Sequence, residues 1–142
     1  MAAFVRQAID PSWPSMWEFV SEHGREFQFQ PLPRGYRRME PKACFENCWN
    51  LLKKRQTLTY CEGFASSRGI AFPVHHAWLV ADDELVIEPT CDSFRDYFGV
   101  QFERDFVLSH KPWSSVLDNW REGWPLLKEK NLDGIVMEVS HV

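Results

Sequence analysis

No stretch of this sequence approaches the roughly 20 apolar residues that a membrane-spanning helix requires. Nothing at its start joins a charged segment to an apolar core in the manner of a secretory signal. These absences set the expectation of a soluble, intracellular, cytoplasmic protein. Dense basic charge is also missing. Sixteen Lys and Arg against 20 Asp and Glu leave a net charge of -4, and the basic stretches Arg34 to Arg38 and Lys53 to Arg55 are short. Nucleic acid is therefore not the expected partner, and neither is a membrane. Internal repeats and low-complexity linkers are absent, so nothing divides the 142 residues, and the expectation is one domain over residues 1–142. Cysteine is limited to Cys44, Cys48, Cys61 and Cys91. A core of this size needs no disulfide staple, which makes reduced thiols the expected state.

What the chain does have is material for a core: 44% hydrophobic residues and 15% aromatic, with seven Trp and eleven Phe. The punctuation then orders the elements. Ser12 and Pro14 before Met16 to Val20, with Gly24 after, predict a short first helix. Pro31, Pro33 and Gly35 mark an irregular connection over residues 30–40, and a longer helix is predicted from Pro41 to about Lys54. The period then changes to two. Strands are predicted over Thr57 to Ala65, Val74 to Ala81 and Leu85 to Glu88, the last two joined by Asp82-Asp83-Glu84 as an antiparallel hairpin. Phe94 to Gly99 reads as a helical turn, Val100 to Leu108 as a strand, Pro112 and Pro125 as openings of short helices, and Gly134 to Val139 as a final strand. The fold class is thus α+β.

A thiol becomes a nucleophile where its thiolate is stabilised, and the opening turn of a helix does this with free N–H groups and the positive end of the dipole. With Pro41 as first helical residue, Cys44 is the fourth and still in that turn, with its own N–H free to help bind an oxyanion. Cys48, one turn deeper, reads as a small buried hydrophobe. The base for such a thiol is best an imidazole. His75 and His76 are adjacent, so on a strand they face opposite ways. Glu88 is the carboxylate in an otherwise apolar strand. A three-residue loop at Asp82 to Glu84 pairs Ala81 with Leu85, Trp78 with Glu88 and His76 with Thr90. His76, Trp78, Val86 and Glu88 then share one face, and His75, Ala77 and Ile87 the other. A two-residue loop would reverse the assignment.

Each of these residues taken singly is more often structural than catalytic. Together, Ala43-Cys44-Phe45-Glu46-Asn47-Cys48, Tyr60-Cys61-Glu62-Gly63-Phe64-Ala65, His76-Ala77-Trp78, Val86-Ile87-Glu88-Pro89-Thr90 and Tyr97-Phe98-Gly99 carry a resemblance across residues 43–99. They resemble a family of small bacterial and phage proteins that looks like part of the papain-like, NlpC/P60 and transglutaminase-like superfamily of cysteine hydrolases. The resemblance implies a papain-like fold, in which a nucleophile helix packs on a small antiparallel sheet with helices towards the C-terminus. It also implies Cys44 as nucleophile, His76 as base and Glu88 as the acid orienting His76. Asn47, three residues after Cys44, would bond a neighbouring strand or help define an oxyanion pocket. Glu62 would order the site from behind or pair with one of the arginines at 34–38. The glutamine that papain-type proteases place before the cysteine is replaced here by Gly35-Tyr36-Arg37-Arg38-Met39.

The function this implies is a thiol-dependent hydrolase or acyltransferase, acting on an amide, isopeptide or thioester bond of a peptide, protein or other acyl substrate, with no cofactor. Trp49, Trp78, Trp113, Trp120 and Trp124 offer material for an acyl groove or for core. The alternative is an inactive papain-like module that binds a protein partner on the same scaffold. A zinc site is disfavoured, because the close cysteine pair is C-x-x-x-C and Cys61 and Cys91 lie far along the chain.

Overall fold

In a computed structural model, residues 15–68, 72–119, 125–128 and 132–136 are described. The described elements are α1 (Met16–His23), β1 (Arg25–Phe27), α2 (Cys44–Lys54), β2 (Thr59–Ser67), β3 (Val74–Ala81), β4 (Leu85–Ile87), β5 (Phe94–Phe102) and α3 (Arg104–Leu108). This is an α+β arrangement, as expected. The strands form a five-stranded antiparallel sheet in the order β1-β5-β2-β3-β4.

The sheet curls until its two edges meet. Gln28, directly after β1, donates from its N–H to Glu84 O at 2.9 Å and accepts from Val86 N–H at 2.9 Å, which ties one edge to the other. Side chains alternate between the two sides of this curled sheet. Phe27, Cys61, Ala65, Trp78, Val80, Val86 and Tyr97 form the cluster inside. On the outer side Tyr60, Ala77, Leu79, Ile87, Val100 and Phe102 pack with Phe19 and Val20 of α1, Cys48 and Leu52 of α2, and Val107 of α3. Cys48 and Leu52 are four residues apart and so share one face of α2, the face that the sheet covers. Truncating Leu52 to alanine would cost about 2–5 kcal/mol.

The hairpin from β3 to β4 has the expected register, with Ala81 opposite Leu85, Val80 opposite Val86 and Leu79 opposite Ile87. Asp82 and Asp83 both have positive φ, 53° and 58°, and Glu84 N–H donates to Ala81 O at 3.1 Å. Aspartate tolerates that left-handed backbone better than most residues. Glu84 is left as the extra residue, and its carbonyl is the one that Gln28 uses. Pairing stops at Ile87, so the expected Trp78–Glu88 and His76–Thr90 pairs do not form as ladder pairs.

Several expectations are corrected. Residues 94–99 are not a helical turn but the first part of β5, because β2 offers them a full antiparallel partner from Ser67 back to Tyr60. The strand predicted over Val100 to Leu108 ends at Phe102, after which Arg104–Leu108 is α3. Arg104 donates to the carbonyls of Leu52, Arg55 and Leu58 and ties this short helix to the end of α2. β1 was not anticipated, since three residues are too few for a period to show. Pro112 and Pro125 begin turns rather than helices. Of the predicted last strand, Ile135 makes a bridge to Phe102, and residues 137–139 lie outside the described residues. The first helix is capped by the Ser15 hydroxyl, which accepts from Glu18 N–H. Pro14 lies outside the described residues.

Candidate active site

Cys44 is the first residue of α2, not the fourth. Lys42 takes a positive φ of 64°, a conformation that costs a non-glycine residue about 1 kcal/mol and cannot continue a helix. The helix therefore starts after it rather than at Pro41. The correction moves Cys44 closer to the helix terminus, where the N–H of a first residue has no acceptor within the helix.

β4 pairs with β3 only from Leu79 to Ala81, and the start of α2 comes in beside the rest of β3. Three features define the junction. Met39 N–H donates to Pro89 O at 2.7 Å, Asn47 Nδ2 donates to Thr90 Oγ1 at 2.9 Å, and Cys44 lies near enough to the His76 side chain to act on its pKa. His76 sits near the start of β3 and Glu88 just past the end of β4, ends that an antiparallel hairpin brings together. His76 Nε2 donates to Glu88 Oε1 at 2.6 Å. With Nε2 engaged, Nδ1 is the nitrogen left to face the sulfur. The structure thus brings Cys44, His76 and Glu88 together, with His76 and not His75 bonded to Glu88 and under the influence of Cys44.

Glu88 is held on both oxygens. Tyr97 Oη donates to Oε1 at 3.1 Å, and the chain after Glu88 folds back so that Thr90 N–H and Cys91 N–H donate to Oε2 at 2.9 and 3.2 Å. Both members of the pair are nearly enclosed, Glu88 at 3% and His76 at 5% exposure. Burial pulls the His76 pKa down, but its hydrogen bonds to Cys44 and Glu88, and their charges, outweigh this and raise it from the usual 6.5 to about 9. The imidazole is thus biased towards its charged form.

Aromatic rings fix its orientation. Trp78 stacks near the imidazole with centroids 6.3 Å apart at 22°, and Phe94 meets it edge-on at 4.7 Å. Trp78 is fully buried, with its Nε1–H unpartnered among the described residues, and its ring lies against Gly99. A Cβ at residue 99 would come within 2.7 Å of that ring, so only glycine lets the indole reach its place.

The remaining expected residues have structural partners. Asn47 spends its amide on Glu40 O at 2.7 Å and on Thr90, which joins the helix start to the chain after Glu88 and leaves the amide nitrogen committed away from an oxyanion. Cys48 is fully buried, and burial raises its thiol pKa well above the usual range. Among the described residues, no hydrogen bond or ion pair joins Glu62 to the arginines at 34–38. Its carboxylate accepts from Tyr60 Oη, His75 Nε2, Ser115 Oγ, Val116 N–H and Leu117 N–H, on the outer side of the sheet. Burial opposes its charge, yet the His75 hydrogen bond and charge and the hydroxyl donors together hold its pKa below the usual carboxylate value. Trp49 donates to His110 O, and Trp113 is exposed; Trp120 and Trp124 lie outside the described residues.

All four cysteines are free thiols. Among the described residues, no group of three or more His, Cys, Asp or Glu is placed to hold a metal ion, and no helix is long and apolar enough to cross a membrane. Sequence reasoning missed Tyr97 and Ser115 as members of these clusters. Reading 94–102 as a strand would have placed Tyr97, with Gly99 and Gln101, on the same side as His76. Ser115, distant in sequence and outside any helix or strand, carries no comparable signal. A search of protein-family models, curated proteins and solved structures finds no match to this chain.

Proposed function

We propose that this protein is a thiol-dependent hydrolase or acyltransferase of papain-like type, related to NlpC/P60 and transglutaminase-like enzymes. In this reading Cys44, His76 and Glu88 are its catalytic residues, and an amide, isopeptide or thioester is its substrate. The observation that carries the reading is the half-buried Cys44 thiol, at a helix start, beside the buried His76–Glu88 pair, whose imidazole is biased towards its charged form. Cys44 Sγ, its proton already held by the charged His76 imidazole, attacks the carbonyl carbon as a thiolate. The oxyanion takes a hydrogen bond from the Cys44 N–H. His76 then gives its proton to the departing amine or thiol, leaving an acyl-thioester on Cys44. Water or an acceptor amine attacks that thioester, with His76 taking the proton, and the thiolate is restored. Glu88 keeps the imidazole Nε2 occupied so that Nδ1 faces the sulfur throughout. Four free thiols fit a reducing compartment such as the cytoplasm.

The test is the alkylation rate of each thiol by iodoacetamide. Cys91 is the appropriate reference, since it shares intermediate exposure with Cys44. Cys44 is expected to react at least about tenfold faster than Cys91 near pH 7, and a Cys44 no faster than Cys91 rejects the enzyme reading. A binding module is the second reading, favoured by Phe72 at 64% and Trp113 at 63% exposure. On that reading Cys44→Ala retains all biological activity.

A further inference from the structure

We propose that Tyr97 is a positioning residue whose phenol holds the Glu88 oxygen that His76 uses and limits how strongly Glu88 pulls on the imidazole. This rests on the enzyme reading of Cys44, His76 and Glu88. Tyr97 lies on β5, two strands from β3 in the sheet, with its side chain in the inner cluster. Its Oη donates to Glu88 Oε1 at 3.1 Å, the same atom that accepts from His76 Nε2 at 2.6 Å. Two donors therefore share one carboxylate oxygen, while Oε2 is occupied separately by the Thr90 and Cys91 N–H groups. The backbone pair sets where the carboxylate sits, and the phenol sets how much charge Oε1 presents to the imidazole.

The ring is well placed for this role. Tyr97 is 2% exposed and packs edge-on against Trp78 at 5.0 Å, and Trp78 in turn stacks near His76. Burial, and then the Glu88 charge, drive the Tyr97 pKa far above its usual value, so the phenol remains a donor at every pH at which the protein works. Besides Tyr97, the charged and titratable groups that act on this cluster among the described residues are Cys44 and, through its charge, Cys48 of α2, Cys91 of the following turn, and Arg38, whose charge opposes the rise in the Tyr97 pKa, while Phe94 of β5 meets the imidazole edge-on. Among these, the Tyr97 phenol is the side-chain hydroxyl bonded to the oxygen that His76 uses.

The experiment is an NMR titration of His76 in full-length protein with labelled histidine, comparing wild type with Tyr97→Phe, which keeps the ring and its packing. Removing the phenol leaves Oε1 to His76 alone, strengthens its hold on the imidazolium, and is expected to raise the His76 midpoint by roughly half a pH unit. A midpoint that stays in place or moves down overturns the proposal. Should Tyr97→Phe not fold, the wild type still decides the matter. With labelled tyrosine, the Tyr97 Cζ resonance is expected to move with the His76 midpoint, and a flat trace overturns the proposal. Cys44 alkylation in the same samples separates the two ideas. Loss of its rate advantage over Cys91 removes the enzyme reading, whereas an unmoved His76 midpoint with that advantage intact removes only the role of Tyr97.

Discussion

Two neighbouring residues of β3, His75 and His76, each hold a buried glutamate, at 2.9 Å from Glu62 and 2.6 Å from Glu88. The chemistry of the two pairs is the same and their surroundings are not. His75 faces the outer, helix-covered side, and the Glu62 carboxylate is filled by donors from Tyr60, Ser115 and two backbone N–H groups besides the histidine. That pair bolts residues 115–117 onto β2. His76 faces the inner side, and beyond its glutamate contact it still has a nitrogen for the Cys44 thiol. On the proposed function, a histidine–glutamate pair is a fastener or part of a reactive line according to what stands at the far ring nitrogen. Strand parity decides which.

The largest effect expected is on chemistry at the inner pair. If the proposed acyl-transfer function holds, Cys44→Ser and His76→Ala should each reduce that activity by roughly a thousandfold, and the double variant should be no worse than either single one, since the residues act as a unit. Circular dichroism should show the fold retained in Cys44→Ser, where the thiol contributes little packing; a double variant far below both singles would break the comparison.

Next in size is a stability effect at the outer pair. In Glu62→Gln an amide NH2 replaces an oxygen surrounded by donors, leaving buried groups unpaired, and the cost should be about 3–5 kcal/mol. For a chain of this length that is a fall in Tm of roughly 10–17 °C. Cys44 should keep its alkylation advantage in this variant. Glu88→Gln also leaves buried donors unpaired and should lower Tm comparably, but unlike Glu62→Gln it should reduce the alkylation advantage about tenfold or more. An unchanged Cys44 advantage in Glu88→Gln would contradict the assignment of fastener and reactive line.

The subtlest difference is in pH dependence. His76 has its folded pKa raised to about 9 from 6.5, so its contribution to stability is fully present below about pH 6.5 and is lost as pH rises through about 9. Glu62 has its pKa lowered, so its contribution is present above the usual carboxylate value and is lost as pH falls below it. Chemical denaturation across pH should show His76→Gln converging on wild type at the alkaline end and Glu62→Gln converging at the acid end. A His76→Gln gap that widens with rising pH would reverse the sign of the coupling at the inner pair.

Much of this comparison was legible beforehand. The loop Asp82-Asp83-Glu84 is short and polar between two apolar alternating runs, so the register of β3 and β4 followed from counting, and with it the common face of His76, Trp78, Val86 and Glu88. The helix around Cys44 was legible from its proline and its periodicity, but its first residue was not, because the positive φ of Lys42 is a backbone choice with no residue signature. Of the two roles expected for Glu62, the pairing with an arginine at 34–38 does not occur, for another reason. Nearby arginines are the obvious counter-charges in sequence, yet Ser115, Val116 and Leu117 reach it only through the return of the chain over the sheet. β5 was divided wrongly between a helical turn and a strand. Its two glycine- and aromatic-rich halves become one strand only when β2 supplies a partner, and strand preference depends on such partners more than helix preference does.

The sequence by itself determined the α+β order, the hairpin and the alternation that sends two adjacent histidines to opposite sides of a strand, since these depend on turn length and a period of two residues. Only the tertiary structure decided that the sheet curls to close on Gln28, that β4 stops short so the start of α2 comes in beside His76, and that Tyr97 shares an oxygen of Glu88. Those are contacts between segments far apart in the chain. They are set by twist, by where pairing ends and by which rings fit around Trp78, and no local pattern of residues encodes them.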